Sequence, residues 1–453
     1  MLRRRFVMGS AAAAVGVSGV VAAACAGPGG SGSGGSGDKA PTIGARDVTL
    51  SWEVEMQPDV LSRVPAFLAE WTQKYPRVKI DAQHFDGGDG QKIQKMLTLA
   101  AAGTPVDVVG KLTYIQPLAA PGGALPLEPL IKRDKYDVSK YNKGWLTSFG
   151  THQDKLYSLP YGMGGSAMVW VYNRAHFQEV GLKEPSADWK NPWTWEDFRQ
   201  AAMRLTKRDG DTITRAGVEQ FGNQYFSLPY PWGGQWLKAD HKTSTADAPE
   251  MVEAYTRYLD LIFKDRVTTI SPGGENLGTL HNRFYDGKVS MHYILGSRLP
   301  AFTDPAVHKV DYAMAPFPKG TLPNAPAASG DIDTNQLALG NQKTAEESWA
   351  FTKWLLEKAR YAIFSDRMPT LTEDASAWAR EAFKRVPATA RVDVLVNAIA
   401  SARPNDPVRS HVKVDQISSE AMNPAWNDMR AQKVAVKDAL ADAKRKIQGI
   451  IGS

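Results

Sequence analysis

Between residues 48 and 109 the chain alternates short β-rich runs with stretches of helical spacing, and this alternation restricts the possible folds severely. Val48-Thr49-Leu50-Ser51-Trp52 reads as a strand. Val60 to Tyr75 then carries Val64, Phe67, Leu68 and Trp71 at helical intervals, and Pro76 separates it from a second strand beginning Val78-Lys79-Ile80. Ile93 to Ala102 is helical and ends at Gly103. Val106-Asp107-Val108-Val109 follows as a third strand, nearly all apolar, the composition of a strand covered on both faces of a parallel sheet. The pattern predicts an α/β doubly wound sheet, whose ligands bind outside the carboxyl ends of the strands. Loops beginning at Trp52, Phe85 and Gly110 are therefore expected to face a ligand.

From about Asp47 onward, roughly 400 residues in a chain of 43% apolar content suffice for two or three cores. The single cysteine, Cys25, precedes this body, so disulfides add nothing to it. Cys25 follows Val21-Ala22-Ala23-Ala24 at the end of an apolar run opened by Arg3-Arg4-Arg5-Phe6, which is what signal-dependent export requires. The segment resembles a bacterial lipoprotein signal, although Ala22 stands where leucine is usual. That resemblance implies a signal peptide over 1–24 and a mature chain starting at Cys25, its thiol carrying diacylglycerol and its amine an acyl chain such as palmitate. Arg3-Arg4-Arg5-Phe6-Val7 is similar to a twin-arginine motif. The other reading is an uncut membrane anchor from Phe6 to Ala24, poorly apolar because of Gly9, Gly16 and Gly19.

Residues 25–45 read as a flexible tether, since 26–37 hold only Ala, Gly, Pro and Ser. Without the leader's three arginines the chain has 51 basic and 48 acidic residues, and no basic block interleaved with aromatics points to nucleic acid. Lys444-Arg445-Lys446 reads as a solvated helix end.

Several ordered segments carry a family resemblance. They are Phe67-Leu68-Ala69-Glu70-Trp71 with Tyr75-Pro76-Arg77; Ala101-Ala102-Gly103-Thr104-Pro105; Lys155-Leu156-Tyr157-Ser158-Leu159-Pro160-Tyr161-Gly162 leading to Tyr172-Asn173-Arg174; and Trp193-Thr194-Trp195-Glu196-Asp197-Phe198. Further on come Phe284-Tyr285-Asp286-Gly287-Lys288-Val289, Ala315-Pro316-Phe317-Pro318-Lys319-Gly320 and Glu347-Ser348-Trp349-Ala350-Phe351. In order and spacing the chain resembles the family 1 extracellular solute-binding proteins of ABC importers, which include maltose-binding proteins. The resemblance implies a two-lobed, periplasmic-binding-protein-like type II fold with about three crossings. Lobe one would comprise 46–160 and 290–328, and lobe two 161–289 and 329–453. The crossings would lie near Leu159-Pro160-Tyr161-Gly162, Val289-Ser290-Met291 and Ala328-Ser329-Gly330. Most of the motifs also have a purely structural reading: Thr194 to Asp197 as a capping box, Glu347 to Leu356 as a core helix, Gly287 as a turn.

An oligosaccharide offers flat apolar faces edged by hydroxyls, so its site needs aromatic plates and polar acceptors and donors. Candidates after the three strands are Trp52 and Glu53, Asp86 and Asp89, and Lys111, Thr113 and Tyr114. From the second lobe come Tyr161, Met163 and Ser166, then Trp232, Gly233, Gly234 and Trp236 in an aromatic and glycine cluster. At Gly296-Ser297-Arg298 the family often has Gly-x-Trp; Arg298 suits a carboxylate, a phosphate or a diol better than a ring face. Asp331 and Asp333 are candidate hydroxyl acceptors.

The histidines show no H-E-x-x-H, no G-x-S-x-G elbow occurs, and the glycine clusters lack the Lys-Ser/Thr of a phosphate loop. The expectation is a non-enzymatic, monomeric, exported lipoprotein without cofactor or metal. It would be anchored on the outer face of the cytoplasmic membrane and deliver a carbohydrate to two permease subunits and an ATPase. The alternatives are a surface carbohydrate-active enzyme and a binder of a non-sugar solute such as a glycerol-phosphate derivative.

Overall fold

The computed structural model describes residues 42–54, 58–163, 168–219, 225–268, 277–295, 310–326, 334–384, 386, 388–401 and 406–452. Its main strands, in chain order, are β1 (Val48–Glu53), β2 (Val78–Gln83), β3 (Val108–Leu112), β4 (Ser158–Met163), β5 (Met168–Asn173), β6 (Lys207–Asp209), β7 (Thr212–Val218), β8 (Val289–Leu295), β9 (Tyr312–Ala315) and β10 (Thr334–Leu339). Two five-stranded sheets result, in the order β2-β1-β3-β10-β4 and β9-β5-β8-β7-β6.

The first sheet contains the parallel unit expected from the alternation: β1 pairs with β2 from Val48 opposite Val78 onward, and with β3 through Trp52 opposite Val108. Its other half is antiparallel, β10 lying between β3 and β4. Leu50, Trp52, Leu337 and Leu339 point to one face, where they meet Val64, Trp71, Phe351, Trp354 and Tyr361. Val109 and Ala338 point to the other, against Ile93, Met96, Ile115 and Leu118. In the second sheet the side-chain period of two is plain. Trp170 and Tyr172 of β5 enter one core with Phe198, Tyr255, Trp426 and Leu440. Val169 and Val171 enter the opposite one with Phe284, Trp378 and Leu395. Both sheets are covered on both faces, hence their continuous apolar runs.

The motif readings hold. Thr194 Oγ1 accepts from the Asp197 N–H at 3.1 Å while Asp197 Oδ2 accepts from the Thr194 N–H at 3.0 Å, a reciprocal cap for the helix Trp195–Leu205. A cap of this kind stabilises by ~1 kcal/mol. The helix Ala345–Leu356 buries Trp349, Phe351 and Leu355, and Gly287 turns the helix Leu277–Tyr285 into β8. Lys444, Arg445 and Lys446 sit on the helix Val436–Gly452, paired with Asp247 and Asp442 at the surface.

The expected lobe membership needs correction. β8 and β9, assigned above to lobe one, are strands of the second sheet, and β10, assigned to lobe two, sits inside the first. Val289, Ser290 and Met291 are therefore no crossing. Met291 and Tyr293 face the core of the second sheet, and β8 pairs with β5 and β7, so the segment is a central strand. The first sheet and its covering draw mainly on 42–163 and 334–371 (lobe one) and the second mainly on 168–326 and 372–452 (lobe two), with Trp145, Phe149 and Met368 packing into the second sheet's core and Val414 into the first's. The chain passes between them after β4, between β9 and β10, and near Pro369, which bridges to Gly162 while Thr370 donates to the Pro160 carbonyl at 3.1 Å. The expected first crossing thus coincides with β4. Ala328-Ser329-Gly330 lies outside the described residues, as do the signal peptide and most of the tether.

Candidate functional site

At the carboxyl ends of β1 and β3, Glu53 is completely buried. Lys92 Nζ stands 2.8 Å from Oε1, and the Lys111 N–H donates to Oε2 at 3.0 Å. Burial pushes the Glu53 carboxyl up, and Lys92 pulls against it. The pair ties β1, β3 and the helix Asp89–Ala101 together, and Glu53 is no ligand acceptor. Trp52 is not a plate either, since it lies edge-on to Phe351 and Tyr361, with ring centroids 5.3 and 5.1 Å away. Tyr161 stacks on Tyr361 at 4.3 Å and is equally buried. Lys111 adds its backbone N–H and the field of its charge to this arrangement. Asp86 is fully exposed, 3.3 Å from His84.

The cluster around Trp232 also folds inward. Tyr230–Trp232 is a single 3-10 turn closed by Gly233 at φ 82°, a left-handed conformation that glycine adopts freely. A Cβ on Gly234 would stand 2.7 Å from Pro229 Cβ. The turn thereby buries both indoles. Trp232 packs edge-on to Trp195 at 4.8 Å and donates to Thr321 Oγ1 at 3.0 Å, and Trp236 packs against Tyr255. Trp232 and Trp236 are core residues of lobe two, and the glycines serve the turn.

Where the lobes touch, a different set of residues converges. Asp89 opens its helix and accepts from the Thr113 N–H at 2.8 Å, fixing the loop after β3. The adjoining Tyr114 donates to Asp415 Oδ1 at 3.1 Å. Asp415 belongs to lobe two, on the short helix Val414–Ile417, and its carboxylate presses on Gly90, where an added Cβ would lie 2.8 Å from Cγ. Desolvation raises the Asp415 carboxyl and Asp89 raises it further, against the hydrogen bond from Tyr114. The Tyr114 hydroxyl is pushed far up by burial and by both carboxylates.

The segment that delivers Asp415 is anchored by Asp406. This buried carboxylate accepts from the N–H groups of Trp236 at 2.6 Å, Val408 at 3.0 Å and Leu237 at 3.4 Å, and burial lifts its pKa to about 6. Three residues on, the Arg409 guanidinium lies 3.9 Å over the Phe226 ring and bears electrostatically on Tyr114 and Tyr225. Tyr225 stacks on Trp426 at 5.4 Å and donates to Asn423.

The lobe junction thus offers carboxylate acceptors from each side, Asp89 and Asp415, a guanidinium, and the aromatic groups Tyr114 and Phe226. Asp89, Thr113 and Tyr114 were among the sequence candidates. Asp415 and Arg409 carried no signal, because 372–452 contains no motif and only the fold brings it to the loops of lobe one, and Phe226 stands in a run with no helical or strand period. Ser166, Gly296, Arg298, Asp331, Asp333 and Cys25 lie outside the described residues, as does the side chain of Met163. Among the described residues no cluster of His, Cys, Asp and Glu could hold a metal ion, and no helix is long and apolar enough to cross a membrane.

Two α/β lobes joined by repeated passages of the chain, with polar residues from both meeting beyond the strand ends, are the architecture of a two-lobed binding protein. Residues 57–360 match the family model of bacterial extracellular solute-binding proteins, and the chain belongs to that family, whose members bind solutes and are not enzymes. A putative binding protein of Brucella abortus is 24% identical over 295 residues, covering 62% of this chain and 67% of the relative. An arabinooligosaccharide-binding protein of Halalkalibacterium halodurans is 22% identical over 245 residues, 53% of this chain and 51% of that one. Among solved structures, an ABC substrate-binding protein from Listeria monocytogenes in complex with cycloalternan superposes with a TM-score of 0.71 at 18% identity, over 89% of this chain and 99% of the other.

Proposed function

We propose that this protein captures a neutral oligosaccharide between its lobes and delivers it to the permease of an ABC importer. The observation that carries this reading is the pairing of Asp89 and Asp415 across the lobe junction. Two acceptor carboxylates suit a ligand rich in hydroxyl donors and repel an anionic one, while Phe226 and Tyr114 supply apolar faces. The oligosaccharide ligands of the Halalkalibacterium and Listeria relatives support the class. Arg298 and the acids Asp331 and Asp333 are further proposed contacts, with Arg409 able to hold a ligand diol. In this reading the protein is a monomer, exported by its leader and held to the membrane through a lipid on Cys25.

A thermal-shift screen over oligosaccharides tests the ligand class, because a ligand at ~100 times its Kd stabilises by ~2.7 kcal/mol. A neutral oligosaccharide should raise Tm and sugar phosphates should not. The reverse would refute the proposal. Small-angle scattering should show a smaller radius of gyration with ligand, as only lobes drawn together give it both sets of contacts. Anchoring fails if Cys25→Ser protein stays in the membrane fraction after export.

A further inference from the structure

Away from the lobe junction, lobe one has a cavity of about 390 Å3 between the helices Ala69–Lys74 and Ala345–Leu356. Its walls combine three lysines, Lys74, Lys140 and Lys353, with three aromatic side chains, Tyr75, Tyr136 and Trp354. Lys353 is committed to Asp134. Lys74 and Lys140 are not: among the described residues neither has a carboxylate partner, and each ammonium rests over a ring, Lys74 at 5.3 Å from Tyr75 and Lys140 at 4.7 Å from Tyr136. Asp137 and Asp374 lie in the field of Lys140 without an ion-pair contact to it among the described residues, and Asp137 Oδ1 accepts from Ser139. The one carboxylate in the wall, Glu357, is paired with Arg360 at 3.0 Å.

We infer that this cavity binds a phosphate group, with Lys74 and Lys140 as its cations and Tyr75, Tyr136 and Trp354 against the attached ester. Ammonium groups on flexible stems bind phosphate as point charges. The rings keep those stems along apolar surface with the charges outward. Position argues for a lipid as the source. Ile43 is part of the wall, so the chain enters the described body beside the cavity. From Cys25 to Thr42 is only 17 residues of largely Gly and Ser, whose root-mean-square span is ~23 Å. On the anchoring proposed above, on which the choice of source rests, this wall is held near the headgroups.

Flotation of full-length Cys25→Ser protein with vesicles tests the site without the lipid, the leader being common to every variant compared. Vesicles of phosphatidylcholine are compared with vesicles holding about 30 mol% phosphatidylglycerol, in which each basic residue near the surface contributes ~5-fold to binding. The protein should prefer the anionic vesicles, and Lys74→Glu/Lys140→Glu should lose about 25-fold or more. Lys74→Arg/Lys140→Arg should keep the preference, as should Lys242→Glu/Lys264→Glu, which changes net charge equally on lobe two. Phosphorus-31 line broadening with inorganic phosphate distinguishes the sources: saturable binding that needs Lys74 and Lys140, without vesicle preference, identifies a soluble phosphate. The inference is overturned if the Lys74/Lys140 reversal alters neither readout, or if the Lys242/Lys264 reversal weakens vesicle binding equally. The oligosaccharide thermal shift should persist in every variant, so failure at this site is separable from failure at the lobe junction.

Discussion

Gly90→Ala changes one hydrogen to a methyl at the point where the lobes touch, and its two effects have opposite signs. Gly90 is the second residue of the helix Asp89–Ala101. Alanine there should stabilise lobe one by up to ~1 kcal/mol through helix propensity and a less flexible unfolded chain. The new Cβ would stand 2.8 Å from Asp415 Cγ, so the carboxylate must leave and take with it the 3.1 Å hydrogen bond from Tyr114. A hydrogen bond to a charged group contributes ~1.5 kcal/mol when partly solvated. In the native background the substitution should therefore be nearly neutral or destabilising by ~0.5 kcal/mol. In an Asp415→Ala background the clash is gone, and the same substitution should stabilise by ~1 kcal/mol. Urea denaturation of the four proteins yields the coupling energy, expected near 1.5 kcal/mol. A coupling below about 0.3 kcal/mol would refute the reasoning, because Gly90 and Asp415 would then not meet in solution.

Lys92→Met should cost ~3 kcal/mol or more in chemical denaturation, since it strands Glu53 as a buried uncompensated charge; a loss below 1 kcal/mol would mean that water reaches Glu53. Trp232→Ala should lower stability by ~3–5 kcal/mol as a core truncation, whereas unchanged Tm with lost sugar affinity would restore the stacking role rejected here. Asp406 titrates near 6 when folded and near 3.8 in an unfolded chain, so the folded state holds its proton more tightly. Its contribution is full below pH 3.8 and is lost as pH rises to about 6, by ~3 kcal/mol. His176 and His411, both held down to about 4 chiefly by burial, act in the opposite sense, adding stability as pH rises from about 4 to 6.5. The difference in stability between wild type and Asp406→Asn should isolate the acid, and a difference independent of pH between 4 and 6 would contradict its shifted pKa.

What the sequence revealed depended on how local the determining physics is. The parallel unit β1, β2, β3 was legible because strand and helix periods are written in consecutive residues, as was the cap at Thr194, which involves atoms three residues apart. The place of β10 was not, because Leu337 and Leu339 carry no mark of whether they pair with β3 or with a strand of the other sheet. For the candidate site, the rule that ligands gather at strand ends pointed to Asp89 and Thr113, and both lie at the lobe junction. Trp52 and Trp232 failed because an aromatic residue beside a strand end or a glycine turn has the same sequence signature whether its ring faces a cleft or a core. Glu53 failed because its counterion, Lys92, lies 39 residues away on a helix. Asp415 and Arg409 are contributed by a segment whose nearness to β3 exists only in three dimensions.

The insertion of β10 between β3 and β4 has a consequence for the order in which the protein can be made. A chain emerging from the ribosome holds β1 to β4 early, yet its first sheet stays open until residue 339, and closing it spans more than 170 residues from β4. The second sheet has its last strand by Ala315 but lacks one covering until Trp426, Met429, Leu440 and Ile447 arrive at the far end. Neither lobe can reach its native core on a nascent chain much shorter than the whole, and closing such long loops makes folding slow. A polypeptide that passes out of the cell unfolded would gain time from this delay, whereas one exported folded would need its last helix in place before it leaves.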